Sequence, residues 1–179
     1  KGKKPLLIND LKLLIKAIHQ SKEKDFKKIR DKALLLIGFA GGFRRSELVN
    51  IYYEDIEIVA EGVKIFVKRS KTDQSGEGMT KAIPYFDNEN FCPVKALKKW
   101  FEKADLRKGK IFNMSDKSVA LIIKKYANYA GLDAQKYAGH SLRSGFATTT
   151  AESGAEERNI MAMTGHKSTE MVRRYIKEA

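Results

Sequence analysis

The spacing of apolar residues changes twice along this chain, from helical to strand-like and back, and this order constrains the fold more than any single residue does. Leu11, Leu14, Ile15 and Ile18 recur at helical spacing, with Asn9 or Asp10 placed to cap that helix. A second helix is expected over about 25–40, carrying the buried run Ala33-Leu34-Leu35-Leu36-Ile37, and Gly41-Gly42 breaks it. A short helix follows at about 45–50. The period then drops to two: residues 55–59 alternate, Glu61-Gly62 turns the chain, and residues 63–67 alternate again. After the polar stretch 71–78 a third strand is expected at about 80–85. From there the pattern returns to helices, at about 93–104, 116–130, 141–152, 156–163 and 168–177. The expected fold class is α+β, mainly helical, with one small three-stranded antiparallel sheet.

A length of 179 residues fits one domain, and 42% hydrophobic residues suffice for a core. Residues 1–8 read as the remnant of a linker, basic and with one proline, and residues 9–179 as the domain. The longest mainly apolar run, Ala33 to Phe43, is about half of the roughly 20 residues that a spanning helix needs. No segment of signal-peptide type follows the N-terminus. The single cysteine, Cys92, excludes an internal disulfide framework and fits a reducing cytosol. The expected location is therefore cytoplasmic.

Thirty-five Lys and Arg against 22 Asp and Glu give a net charge of +13. An excess of this size is the footprint of a nucleic-acid binder, although a generally lysine-rich chain would carry it too. No segment pairs a basic face with a long apolar face and aromatic anchors, so no membrane partner is expected.

Six residues, with Glu47 in support, can be read as a site for phosphodiester chemistry. Arg44 follows a Gly-Gly-Phe turn and opens a short helix, where a guanidinium beside backbone N–H groups can grip a phosphate. Glu47, three residues on, shares its face and can orient it. His140 and Arg143 form an i, i+3 pair at a helix start, so their side chains can converge on one substrate. Arg143 would hold a second phosphate oxygen and His140 would relay a proton. His166 follows a glycine that lets the backbone approach closely. Tyr175 carries a phenol, a poor nucleophile until nearby positive charge or a base assists it. Lys71, in the polar stretch between two strands, can donate a proton to a leaving alkoxide, with Lys68, Arg69 and Lys81 close by as competing cations.

Each residue also has a plainer reading. Arg44 can be a surface arginine beside a capping glutamate, and His140 a cap. His166 can be a surface histidine, Tyr175 a core aromatic, and Lys71 a solvated lysine on the DNA backbone. Tyr126, Tyr129 and Tyr137 are the competing tyrosines and read as packing residues. Metal catalysis would need clustered carboxylates or histidines. The three histidines, at 19, 140 and 166, have no short-range metal spacing, and there is no cysteine pair. No metal and no other cofactor is expected.

Taken together, these residues resemble the catalytic domain of the tyrosine recombinases, the phage-integrase family. The first box of that family is matched by Gly41-Gly42-Phe43-Arg44-Arg45-Ser46-Glu47-Leu48, with Gly41 where threonine is common. The hairpin lysine falls on Lys71, within Arg69-Ser70-Lys71-Thr72-Asp73. The His-x-Leu-Arg box is His140-Ser141-Leu142-Arg143, the Gly-His box begins at Gly165-His166, and the tyrosine box ends at Tyr175. The boxes occur in order at family-like spacing and cover about residues 6 to 178.

The resemblance implies a mechanism. Tyr175 attacks the scissile phosphate, forming a 3′-phosphotyrosine link and freeing a 5′-hydroxyl, without metal or ATP. Arg44, Arg143 and His166 stabilise the transition state, His140 assists the phenol's deprotonation, Lys71 protonates the leaving oxygen, and Glu47 supports the site. The partner implied is double-stranded DNA, with a tetramer of the full-length protein on two sites. The isolated domain is expected to be a monomer that lacks the family's N-terminal DNA-clamping domain. A non-catalytic binding module of the same fold would be expected to have lost one of these residues. A type IB topoisomerase usually carries lysine at the position of His140.

Overall fold

The computed structural model describes residues 3–68 and 78–152. Among these residues six α-helices surround a core and flank one sheet: α1 (Ile8–Gln20), α2 (Asp25–Ala40), α3 (Arg45–Leu48), α4 (Pro93–Lys103), α5 (Asp116–Tyr129) and α6 (Ser141–Glu152). The sheet is antiparallel, in the order β1 (Ile56–Val59), β2 (Gly62–Val67), β3 (Met79–Pro84). This is the α+β architecture that the periodicity predicts. The helices expected at 156–163 and 168–177 lie outside the described residues.

Helix α2 is the axis of the fold. Its run from Ala33 to Ile37 is buried on every side, because α1, α4 and α6 all pack against it. Gly41 and Gly42 end it, with the Gly41 N–H donating to the Ile37 carbonyl at 2.9 Å. Gly42 adopts φ +61°, a backbone conformation that favours glycine. A Cβ there would lie 2.6 Å from the Phe146 ring, so the turn and α6 meet without room for a side chain.

Register fixes which side chains of β3 face inward. Val63 pairs with Ile83 and Ile65 with Lys81, so the alternation that buries Ile83 also buries Lys81.

Two expectations at the N-terminus change. Helix α1 begins at Ile8 with Leu7 at its cap, so Asn9 and Asp10 lie inside the first turn rather than capping it. Residues 4–6, expected to be linker, are strapped across the start of α6. The Lys4 N–H donates to the Lys136 carbonyl at 2.6 Å, the Leu6 N–H donates to the Ser141 carbonyl at 3.0 Å, and Leu6 is fully buried. These bonds hold the backbone where α1 starts and make a side-chain cap unnecessary.

Candidate active site

The turn after α2 collects charged groups from three parts of the chain. Arg44 is the N-cap residue of α3. Its N–H donates to Glu47 Oε1 at 2.9 Å, and its Nη1 donates to Glu47 Oε2 at 3.2 Å. One carboxylate thus caps the helix and holds the guanidinium. About half of the Arg44 side chain remains exposed.

Arg143 arrives from α6, and its Nη1 donates to the Gly42 carbonyl at 2.8 Å. The two arginines, 99 positions apart in sequence, therefore flank a single turn. His140 sits at the start of α6 with its side chain exposed. Gly139 before it passes so close to Arg45 that a Cβ would lie 2.5 Å from Arg45 Cδ. The glycine lets the His140 segment run directly beside the segment that carries Arg44.

Two residues that the sequence reading did not single out hold this arrangement. Ser141 is fully buried; its Oγ accepts from the Ala138 N–H at 2.9 Å and donates to the Lys4 carbonyl at 2.8 Å. It pins the helix start between His140 and Arg143, and nothing in its spacing distinguishes it from a surface serine. Lys81 reaches in from β3, and its Nζ donates to the Gly41 carbonyl at 2.6 Å, 5.0 Å from the centroid of the buried Phe43 ring. Its signal was the period of two: a lysine in register with Ile83 belongs on the inner face. Burial pushes its pKa down to about 8, with Arg143 and Arg44 acting in the same direction and Glu47 opposing them. Like charges thus crowd the ammonium, and among the described residues Glu47 is the carboxylate that offsets them, a setting that favours an anion.

Lys71, His166 and Tyr175 lie outside the described residues. The competing tyrosines can be placed. Tyr126 and Tyr137 are buried, as packing residues should be, whereas Tyr129 is half exposed. All three phenols donate to carboxylates: Tyr126 to Asp31 at 2.7 Å, Tyr129 to Glu23 at 3.1 Å, and Tyr137 to Asp10 at 3.2 Å. Burial and then the Asp31 carboxylate push the Tyr126 pKa up. Partial burial and Asp10 push Tyr137 up to about 12. These environments make the phenols harder to ionise, the opposite of what a nucleophile needs. Among the described residues, no group of three or more His, Cys, Asp or Glu gathers where a metal ion could sit.

This helix-rich domain brings two arginines from distant segments to one turn, with a histidine alongside, an arrangement of a kind that can hold a phosphate. The sequence matches the phage integrase family over residues 6–179, and the chain belongs to that family. It is 47% identical over 190 aligned positions to an integrase/recombinase xerD homolog of Selenomonas ruminantium, covering 99% of this chain and 55% of that one. It is 29% identical to the tyrosine recombinase XerA of Pyrococcus horikoshii, covering 83% and 50%. The chain spans about half the length of the curated relatives it matches. Among solved structures, the XerH site-specific recombinase bound to its difH substrate superposes with a TM-score of 0.72 at 19% identity, covering 99% of this chain and 51% of that one. The XerA recombinase superposes at 0.69 with 22% identity, covering 95% and 58%. These likenesses establish the fold.

Proposed function

We propose that the protein is a site-specific DNA recombinase that cuts and rejoins double-stranded DNA through a 3′-phosphotyrosine intermediate. The observation that carries the reading is the convergence of Arg44 and Arg143 on one turn, with Glu47 fixing the first and the Gly42 carbonyl fixing the second. Two guanidiniums anchored at one turn suit the non-bridging oxygens of one phosphate, and they gain most when charge builds on the pentavalent transition state.

In this reading the Tyr175 oxygen forms the new bond to phosphorus and the bond to the 5′ oxygen breaks. His140 takes up the phenolic proton, Lys71 delivers a proton to the leaving oxygen, and His166 joins the arginines around the phosphate. One phosphodiester replaces another, so rejoining by a 5′-hydroxyl from a second strand needs no ATP. Synapsis by four copies on two sites follows from the need to exchange strands between two duplexes. Action on DNA implies a place with the nucleoid in the cytoplasm. Among the described residues no helix is long and apolar enough to cross a membrane.

The test is incubation of the full-length protein with nicked DNA in EDTA, followed by a search for an SDS-resistant adduct mapped by peptide mass. An adduct on Tyr175 is expected. DNA binding retained with no adduct would instead indicate a module that holds DNA without cutting it.

A further inference from the structure

Lys81 is the one charged side chain that β3 turns into the protein. The strand has no packing need for it, since Ile83 fills the same face two residues on. A buried ammonium is unfavourable unless it is paired, and two of its charged neighbours, Arg44 and Arg143, repel it. An apolar residue would serve the sheet better, so the lysine answers to something other than the sheet.

Its hydrogen bond indicates what. The ammonium donates to the Gly41 carbonyl at 2.6 Å while Arg143 donates to the Gly42 carbonyl at 2.8 Å. Cations from β3 and from α6 thus clasp consecutive carbonyls of one turn, and Arg44 follows that turn two residues later. Resting on the recombinase reading, we propose that Lys81 is a positioning residue of the phosphate site. Its ammonium locks the Gly41-Gly42 turn against α6, so that Arg44 and Arg143 are already set when the phosphate arrives. In the free site Arg44 and Arg143 bear on the ammonium with like charge, and Glu47 opposes them. An incoming phosphate relieves that repulsion, and the transition state, which carries more negative charge than the ground state, relieves it further. The chain order adds a consequence: β3 begins two residues before Lys81 and follows the segment that carries Lys71. The same ammonium therefore ties that segment's downstream strand to the arginine turn.

The experiment compares full-length wild type, Lys81→Met and Lys81→Arg in single-turnover cleavage of nicked DNA from pH 6 to 9.5, with DNA affinity and melting temperature measured alongside. Lys81→Met should slow cleavage about 10- to 100-fold at pH 7, the scale of a misplaced reacting group, with affinity changed less than about threefold. Lys81→Arg should recover most of the rate.

Lys81 is charged below about pH 8. Wild-type cleavage should therefore lose rate as the pH climbs through that region, or somewhat higher once DNA is bound. The groups that set this limb are Glu47 and Arg44 at α3 and Arg143 on α6, together with the ammonium itself. The limb should be missing in Lys81→Met and displaced upward in Lys81→Arg. A substrate with sulfur at the 5′ bridging position, whose leaving group needs no proton, should leave the Lys81→Met defect in place. Full rescue by that substrate would overturn the proposal in favour of proton donation. It would also be overturned by Lys81→Met cleaving within about twofold of wild type, or by both variants failing equally with a matching fall in melting temperature. No adduct from wild type would overturn the recombinase reading itself, a result distinct from normal cleavage by Lys81→Met.

Discussion

Two buried charged clusters sit at opposite ends of one stretch of α2, and they are wired in opposite ways. At Asp31 a fully buried carboxylate is surrounded by donors: Arg30 Nε at 3.0 Å, the Tyr126 hydroxyl at 2.7 Å and the Lys125 ammonium at 3.9 Å. Ten residues further, about 15 Å along the helix axis, the Gly41-Gly42 turn is clasped by Lys81 and Arg143, with Arg44 beside it. The first cluster centres its cations on a protein anion and joins α2 to α5. In the second, Lys81 and Arg143 donate to carbonyl dipoles while Arg44 pairs with Glu47. In the first, Glu23 adds a second carboxylate at 3.5 Å from Lys125, so two anions meet two cations; in the second, among the described residues, Glu47 is the carboxylate that the geometry places on a cation, through Arg44. The first suits a device for stability, and in the proposed reading the second is a preorganised receptor for a phosphate.

The sharpest way to break this comparison is through the tyrosines. Tyr175→Phe should abolish the covalent adduct and leave DNA affinity nearly intact, because it removes the nucleophilic oxygen and no positive charge. Tyr126→Phe should keep the adduct, since its phenol serves Asp31. Its cost should be about 1–3 kcal/mol of stability, from a buried carboxylate oxygen that loses its donor. An adduct that survives in Tyr175→Phe and disappears in Tyr126→Phe would reverse the roles of the two regions.

Next in size is the exchange of a rate effect for a stability effect. Arg143→Ala should cut single-turnover cleavage by about 10²–10³. Asp31→Ala should lower stability by about 3–5 kcal/mol, by leaving Arg30 and Lys125 without their shared anion. For a domain of this size that is a drop in melting temperature on the order of 10 °C, seen by calorimetry, with cleavage retained at low temperature. If Asp31→Ala instead suppresses cleavage below its melting transition, the two clusters are not separate devices.

How much of this was readable beforehand depends on whether a local pattern or a long-range pairing set the feature. The extent of α2 is legible because glycines end it and its apolar run is continuous. The Arg44–Glu47 pair is legible because i, i+3 spacing on a short helix leaves few alternatives. The start of α1 is not, because it is fixed by bonds from residues 4–6 to the α6 region, more than 130 positions away. Lys81 is only half legible: the period of two puts it on the face of Ile83, but the pairing of β3 with β2 is what makes that face the inner one. Arg143 is recognisable from its box, but its anchoring on the Gly42 carbonyl is a property of the packed molecule. Lys71, His166 and Tyr175 rest on the motif and its spacing.

The smallest expected effect sharpens the comparison most finely, because the two clusters should respond to alkali in opposite senses. Lys81 has a folded pKa lowered to about 8 from 10.5. Between those values the unfolded chain binds the extra proton, so this group makes the protein more stable as the pH rises. The gain is at most about 1.4 kcal/mol per pH unit, one proton's worth. Tyr126 has its pKa raised from 10, so above pH 10 the folded state holds the extra proton and stability falls as the pH climbs. Other lysines and tyrosines titrate in the same range, so the signal is a difference between variants. From pH 8 to 10, wild type should gain melting temperature relative to Lys81→Met, whereas its difference from Tyr126→Phe should stay flat until pH 10 and then shrink. A wild-type curve parallel to that of Lys81→Met would mean that the ammonium on the Gly41 carbonyl is as well solvated as a surface lysine. In that case the crowding of like charges at the turn would not be stored by burial, and the contrast with Asp31 would reduce to geometry alone.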